Sequence, residues 1–231
     1  MRVSVAVPQG PDASASERER APSLREMNKL DKRQRIRRAA RELFSKQGFE
    51  ATTLRQIAKR AHAALGTLFN YAHDKRDLTF LIFNEELDDL VSEAVESSRA
   101  GRTLLDQLMR LWEPHYRYFA QSPVLTRLLL REMTFYAEGT EAARFHAIRA
   151  RVLGHIEQLV RASQQDAALA GSESARTIAL LLFFVYSGAV RWWIAQDDPS
   201  PDQGIGDLRR LIDIQIKGLG GRPRAKKTKR A

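Results

Sequence analysis

The first regular apolar pattern in the chain is helical. Ile36, Ala39, Ala40, Leu43 and Phe44 recur at the spacing of one helical face, which predicts a helix over residues 31–46. Gly48 closes it, with Phe49 packing behind. Leu54, Ile57, Ala58 and Ala61 repeat the period, and Thr53 with Gln56 fits a capping box at its start. After a tight turn, residues 64–71 place Leu65, Leu68 and Ala72 on one side and Gly66, Thr67, Asn70 and Tyr71 on the other. Asp74 then suits the N-cap of a longer helix reaching about residue 97. Five more helical patterns fall at 103–120, 123–137, 140–167, 173–196 and 204–219. Gly101, Ser122-Pro123, Gly139, Gly171 and Asp197-Asp-Pro-Ser-Pro201 separate them. Pro123 suits a first turn, whereas Pro114 falls inside a helical run and should kink it. No stretch alternates as a strand does and no repeat recurs. The pattern predicts an all-α protein of about nine helices.

Charge divides this pattern into regions. The whole chain carries +10, but residues 29–78 alone hold 13 Lys/Arg against 5 Asp/Glu. Residues 217–231 hold 7 Lys/Arg and no acid, while residues 79–216 hold 14 against 19. Positive charge is thus concentrated in the short helices and in the tail, where neutralising phosphates would release counterions. Residues 1–28 read as a disordered arm and 220–231 as a basic disordered tail. Arg25, Lys29, Lys32 and Arg33 lie where the arm meets the first helix, within reach of a phosphate backbone. The boundaries that follow are 29–75 for the basic helical unit and 76–219 for the remaining helices.

The chain has no cysteine, which removes disulfides and thiolate metal sites and fits a reducing, cytoplasmic setting. Its apolar N-terminal run, Met1 to Val7, is too short for the core of a signal peptide. The longest apolar stretch, Ile178 to Ile194, is interrupted by Ser187, Gly188 and Arg191 and reads as a buried helix, so no membrane partner is expected. None of the five histidines sits in a zinc or di-iron spacing, no Gly-rich phosphate loop occurs, and no serine occupies a nucleophile elbow. No catalytic residue, metal ligand or cofactor is expected.

Aromatic residues are instead concentrated after residue 100. Trp112, His115, Tyr116 and Phe119 cluster on the fifth pattern, and Phe135, His146 and Phe184 follow on later ones. Plain core packing explains most such residues. Together they also suit an apolar pocket for a small molecule, with His115 placed to orient it.

The segment Arg35–Phe49, with Thr52-Thr53, Ile57-Ala58, Gly66-Thr67-Leu68-Phe69-Asn70-Tyr71 and Lys75-Arg-Asp-Leu78, resembles the DNA-binding motif of the TetR family of transcriptional regulators. The chain departs from that pattern at His62, where glycine is usual, at Ala64, which replaces a Ser or Thr cap, and at Leu65, Phe69 and Ala72. The resemblance implies a helix-turn-helix domain followed by a helical effector-binding and dimerisation domain. Residues 64–71 would be the recognition helix in the major groove of a palindromic operator. Thr53, Arg55, Tyr71 and Lys75 would anchor phosphates, Gly66, Thr67 and Asn70 would approach base edges, and Leu65 and Phe69 belong to the same DNA-binding set. Asn70 is the candidate for reading adenine. Helices near 173–196 and 204–219 would pair two copies. The function implied is a repressor released by a small apolar effector. Three alternatives stay open: a ligand-independent dimeric DNA-binding protein, a nonspecific binder driven by the two basic regions, and an all-helical enzyme. The tail segment Gly221-Arg222-Pro223 also resembles the centre of an AT-hook, although a nonspecific electrostatic role suits its composition better.

Overall fold

The computed structural model describes residues 23–166, 169 and 173–219. The expected arm up to residue 22 and the tail from residue 220 lie outside them. Among the described residues there are nine α-helices: α1 Leu24–Gln47, α2 Leu54–Arg60, α3 Leu65–Phe69, α4 Lys75–Ser98, α5 Leu104–Ala120, α6 Pro123–Glu132, α7 Ala142–Gln165, α8 Ala175–Ile194 and α9 Pro201–Leu219. A 3-10 turn, Met133–Phe135, follows α6, and no strand is present among the described residues.

Helix α1 starts seven residues earlier than its apolar period predicts. Ser23 and Glu26 form a complete capping box, with the Ser23 hydroxyl accepting from the Glu26 amide. This signal stands in the sequence and marks the start that the apolar pattern does not. Residues 24–28 therefore belong to α1 rather than to an arm. The buried stripe of α1 is Ile36, Ala39, Ala40 and Phe44, with Leu43 half-buried. The Thr53–Gln56 box caps α2 as expected. Helix α5 runs unbroken through Pro114. Pro201 sits in the first turn of α9, where a missing N–H costs nothing, so that helix begins earlier than 204.

Helices α1, α2 and α3 pack on one another, and α1 lies along α4. Helix α4 is the spine of the molecule. Its residues Asp77 to Asn84 are buried, and it packs against α5, α6 and α7. Helices α7, α8 and α9 form the far wall, with α9 closing against both α5 and α8. Gly204 permits that closure, because a Cβ there would lie 2.6 Å from the Trp193 ring and 2.7 Å from the Tyr116 ring. One continuous apolar core runs from Ile36 to Ile212. Helix α8 is long and apolar enough to cross a membrane by length and composition. It packs on α7 and α9 here, burying Leu182, Phe183, Tyr186 and Trp193.

Candidate DNA interface and effector cavity

The α2–α3 hairpin is fixed from behind. Leu68, Ile57, Ala58 and Ala72 are buried, with α2 packed on α1 and α3 on α2. The buried Thr52 donates to Gly48 O at 2.7 Å, and the Gln47 amide donates to Thr52 Oγ1 at 3.2 Å and to Gln56 Oε1 at 3.3 Å. His62 turns the chain between the two helices with φ 49°, the left-handed conformation that glycine adopts most readily. Helix α3 begins at Ala64 without a side-chain cap. It presents Gly66, Phe69 and Asn70 to solvent, with Thr67 and Leu65 half-buried. An exposed, firmly backed, five-residue helix of this kind has room to enter a groove.

Each residue expected to touch DNA falls on or beside this hairpin, but several are already engaged. The Thr53 hydroxyl serves the cap, accepting from the Gln56 amide at 3.2 Å. The Tyr71 hydroxyl donates to Lys29 O at 3.2 Å, tying the end of α3 to α1. Lys75 Nζ donates to Phe49 O at 2.8 Å and to Glu50 O at 3.3 Å and lies over the Phe49 ring. These three side chains hold the hairpin in place. Arg55, by contrast, is exposed and makes no ion pair among the described residues; the same holds for Lys59, which the sequence pattern did not single out. Part of the basic charge of α1 is neutralised internally. Arg37 pairs with Glu85 at 3.1 Å, Arg33 with Glu141 at 2.9 Å, and Arg41 with Glu86.

Behind the hairpin, Asp77 forms a buried junction. Its carboxylate accepts from the His73 amide at 3.0 Å, in the loop that follows α3. It also accepts from the Thr140 amide at 2.9 Å, the Glu141 amide at 3.3 Å and the Tyr136 hydroxyl, all between α6 and α7. Burial pushes this carboxyl up, but the four donors outweigh burial and hold it below its ordinary value. Gly139 is needed beside it, since its φ is 145° and a Cβ there would lie 2.5 Å from Asp77 Oδ1. Phe80 stacks on Tyr136 and packs against Phe145, which extends the junction to α7.

A cavity of about 90 Å³ lies between α4, α5, α6, α7 and α8. Leu87, Phe119, Leu129, Phe145, Ile148 and Phe183 give it apolar walls, while His115, Tyr186, Arg149 and Arg191 supply the polar groups. His115 is buried, and its Nδ1 bonds Leu111 O at 3.0 Å. A carbonyl can only accept, so Nδ1 carries the proton and Nε2 is left as an acceptor. Burial lowers the imidazole pKa to about 4, with the Leu111 bond opposing, so the ring is neutral at pH 7. The Tyr186 ring meets His115 edge-on and stacks on Trp112 with centroids 5.0 Å apart.

Of the residues expected to line a pocket, His115 and Phe119 do so. Trp112 stands one layer behind, through Tyr186. Tyr116 is buried toward α9 against Trp193. Three expected residues point elsewhere. Phe135 is 83% exposed on the 3-10 turn, Phe184 is 60% exposed on the outer face of α8, and His146 is exposed on α7. The inward neighbours of Phe184 and His146 are Phe183 and Phe145, each one residue away. The aromatic residues were visible in the sequence, but the phase of each helix was not. The spacings Phe145–Ile148–Val152 and Phe183–Tyr186–Val190 carry that phase.

One further polar pair resembles hydrolase machinery only in composition. Ser98 Oγ lies 2.7 Å from His155 Nε2 and 2.7 Å from Val95 O. The carbonyl takes the hydroxyl proton, so the imidazole donates to serine rather than activating it.

Comparison with known proteins supplies the rest. The family model of bacterial regulatory proteins of the tetR family matches residues 36–81, which span the end of α1 through the first turns of α4. The chain is 30% identical over 193 residues to the HTH-type transcriptional repressor KstR of Mycobacterium tuberculosis, covering 83% of this chain and 81% of that protein. It is similar in fold to FadR of Thermus thermophilus, a transcriptional repressor solved in complex with lauroyl-CoA, with a TM-score of 0.63 and 23% identity over 86% of this chain and all of the other. FadR of Bacillus subtilis, solved with stearoyl-CoA, is similar over 81% of this chain and 97% of the other, with a TM-score of 0.59 and 20% identity.

Proposed function

The chain belongs to the TetR family of bacterial regulatory proteins and is a DNA-binding repressor rather than an enzyme, and on that footing we propose how it works. Two copies place α3 in successive major grooves of a roughly palindromic operator in the cytoplasm, and a small, largely apolar effector releases them. The observation that carries the DNA half is the exposed face of α3, Gly66, Phe69 and Asn70, with the unpaired cation Arg55 beside it. Arg55 and Lys59 contact phosphates, and Asn70 reads a base. Thr53, Tyr71 and Lys75 act first as supports, with backbone phosphates as a second set of partners.

The outer face of α8 and α9 supports a homodimer. Phe184, Trp192, Leu211 and Ile214 are exposed there by 43–77%. A soluble monomer rarely leaves such a patch open, and two copies of one patch bury each other symmetrically.

The cavity supports the effector half. Its volume of about 90 Å³ is well below the roughly 300–1,000 Å³ of ordinary ligand sites. An effector therefore has to part the helices around it. The loop between α6 and α7 is tied through Asp77 to His73, directly behind α3. A shift of that loop moves the recognition helix, so effector and DNA prefer different arrangements. The acyl-CoA complexes of the FadR proteins favour this reading over a ligand-independent one.

The test is binding to DNA upstream of the protein's own gene against scrambled competitor at two salt concentrations. A competitor-resistant complex with a two-fold footprint is expected, and Asn70→Ala should cost about 1–3 kcal/mol of discrimination at one position in each half-site. Equal binding to all sequences, collapsing at the higher salt, would favour nonspecific binding through the basic regions.

A further inference from the structure

Resting on the effector reading above, we infer that the cavity selects an anionic amphipath, whose apolar body lies among the cavity aromatics and whose negative end sits between Arg149 of α7 and Arg191 of α8. The cavity walls are mainly apolar, Arg149 and Arg191 are their only charged side chains, and no Asp or Glu lines it. Neither guanidinium makes an ion pair among the described residues. Asp197 shares the outer groove with Arg191 but forms no ion pair with it.

Both arginines line the same cavity. Arg149, exposed on α7, lies over the Phe183 ring at 5.5 Å. Arg191 is half-buried and donates once, from Nη1 to Ser187 O at 3.1 Å, which leaves most of its five N–H donors free. Burial works against the charge of Arg191, and so does Arg149. Arginine does not discharge, so two like charges facing one apolar space gain from an anion between them. Planar guanidinium groups suit a carboxylate or a phosphate, and both are compatible with this mouth. A cationic amphipath is excluded by the same charges. His115 contributes only an acceptor, Nε2, so it favours a hydroxyl or amide donor partway along the ligand rather than the anionic end.

The experiment is calorimetric titration of the full-length protein, without DNA, with four twelve-carbon probes below their micelle concentrations: dodecanoate, lauroyl-CoA, dodecanol and dodecyltrimethylammonium. Binding of dodecanoate or lauroyl-CoA at least about 10-fold tighter than dodecanol, with no binding of the cation, is expected. Preference between the first two identifies the anion as carboxylate or CoA phosphate. The double variant R149A/R191A should lose that preference while binding operator DNA as before, and R149K/R191K should recover part of it. Equal binding of dodecanol and the anions, or an unchanged preference in R149A/R191A, overturns the anion clamp and leaves the effector cavity standing. Binding of no probe overturns the clamp and the effector reading together.

Discussion

Two parts of this molecule use polar groups differently. Around the recognition hairpin the polar groups of Thr52, Tyr71 and Asp77 are paired. Thr52 is bonded to α1, Tyr71 to Lys29, and Asp77 to four donors. Around the effector cavity the polar groups are left open. His115 Nε2 accepts nothing from the protein, and Arg149 and Arg191 make no ion pair among the described residues. A closed network holds one geometry, whereas open donors and acceptors lower the cost of a second one. On the proposed function, a helix that enters a groove needs the former and a cavity that opens around an effector needs the latter.

Substitution of the aromatic wall should break this contrast most severely. Trp112 is fully buried between α5 and α8, and Trp112→Ala should cost about 3–5 kcal/mol. Chemical denaturation would show it, and the apolar core shared with the hairpin means both regions should melt together. Separate transitions would show that the two parts are energetically independent.

Acid should act next, and on the cavity before the hairpin. His115 has a folded pKa of about 4 against an ordinary 6.5, so between these values the unfolded chain binds more protons. Stability is then full above pH 6.5 and falls as pH drops toward 4, by at most roughly 3 kcal/mol. His155, lowered by burial and by Arg99, adds to the same slope. Denaturation midpoints measured across that range should flatten in His115→Gln relative to wild type. Asp77 has the other window. Its contribution is present above its ordinary 3.8 and is lost only as pH falls below that value.

Asp77→Asn should cost about 1–3 kcal/mol, because the amide cannot accept from all four donors. The informative result is on coupling. Amide exchange should quicken at His73, Thr140 and Glu141, and effector should release DNA less completely than in wild type. Unchanged release would remove Asp77 from the path between the regions. The smallest effect belongs to the hairpin turn. His62→Gly relieves a left-handed backbone and should stabilise the protein by up to about 1 kcal/mol, read as a small rise in Tm.

The helices themselves, their order, the α2 capping box and the exposed face of α3 followed from apolar spacing and local caps, which act between residues three or four apart. The start of α1 was equally local, in Ser23 and Glu26, and was hidden only because Leu24, Met27 and Leu30 lie on no buried stripe. Family resemblance located the hairpin because that motif is short and contiguous. The cavity is built differently. Its residues come from five helices, and the choice of Phe183 over Phe184, or Phe145 over His146, depends on a rotation of about 100° per residue that spacing among similar apolar residues does not fix. The engagement of Lys75 by Phe49 O, the convergence of four donors on Asp77 and the placing of Arg149 and Arg191 on one cavity all join residues distant in the chain. Local periodicity and capping thus determined which segments are helical, while only tertiary packing decided which side chains face one another.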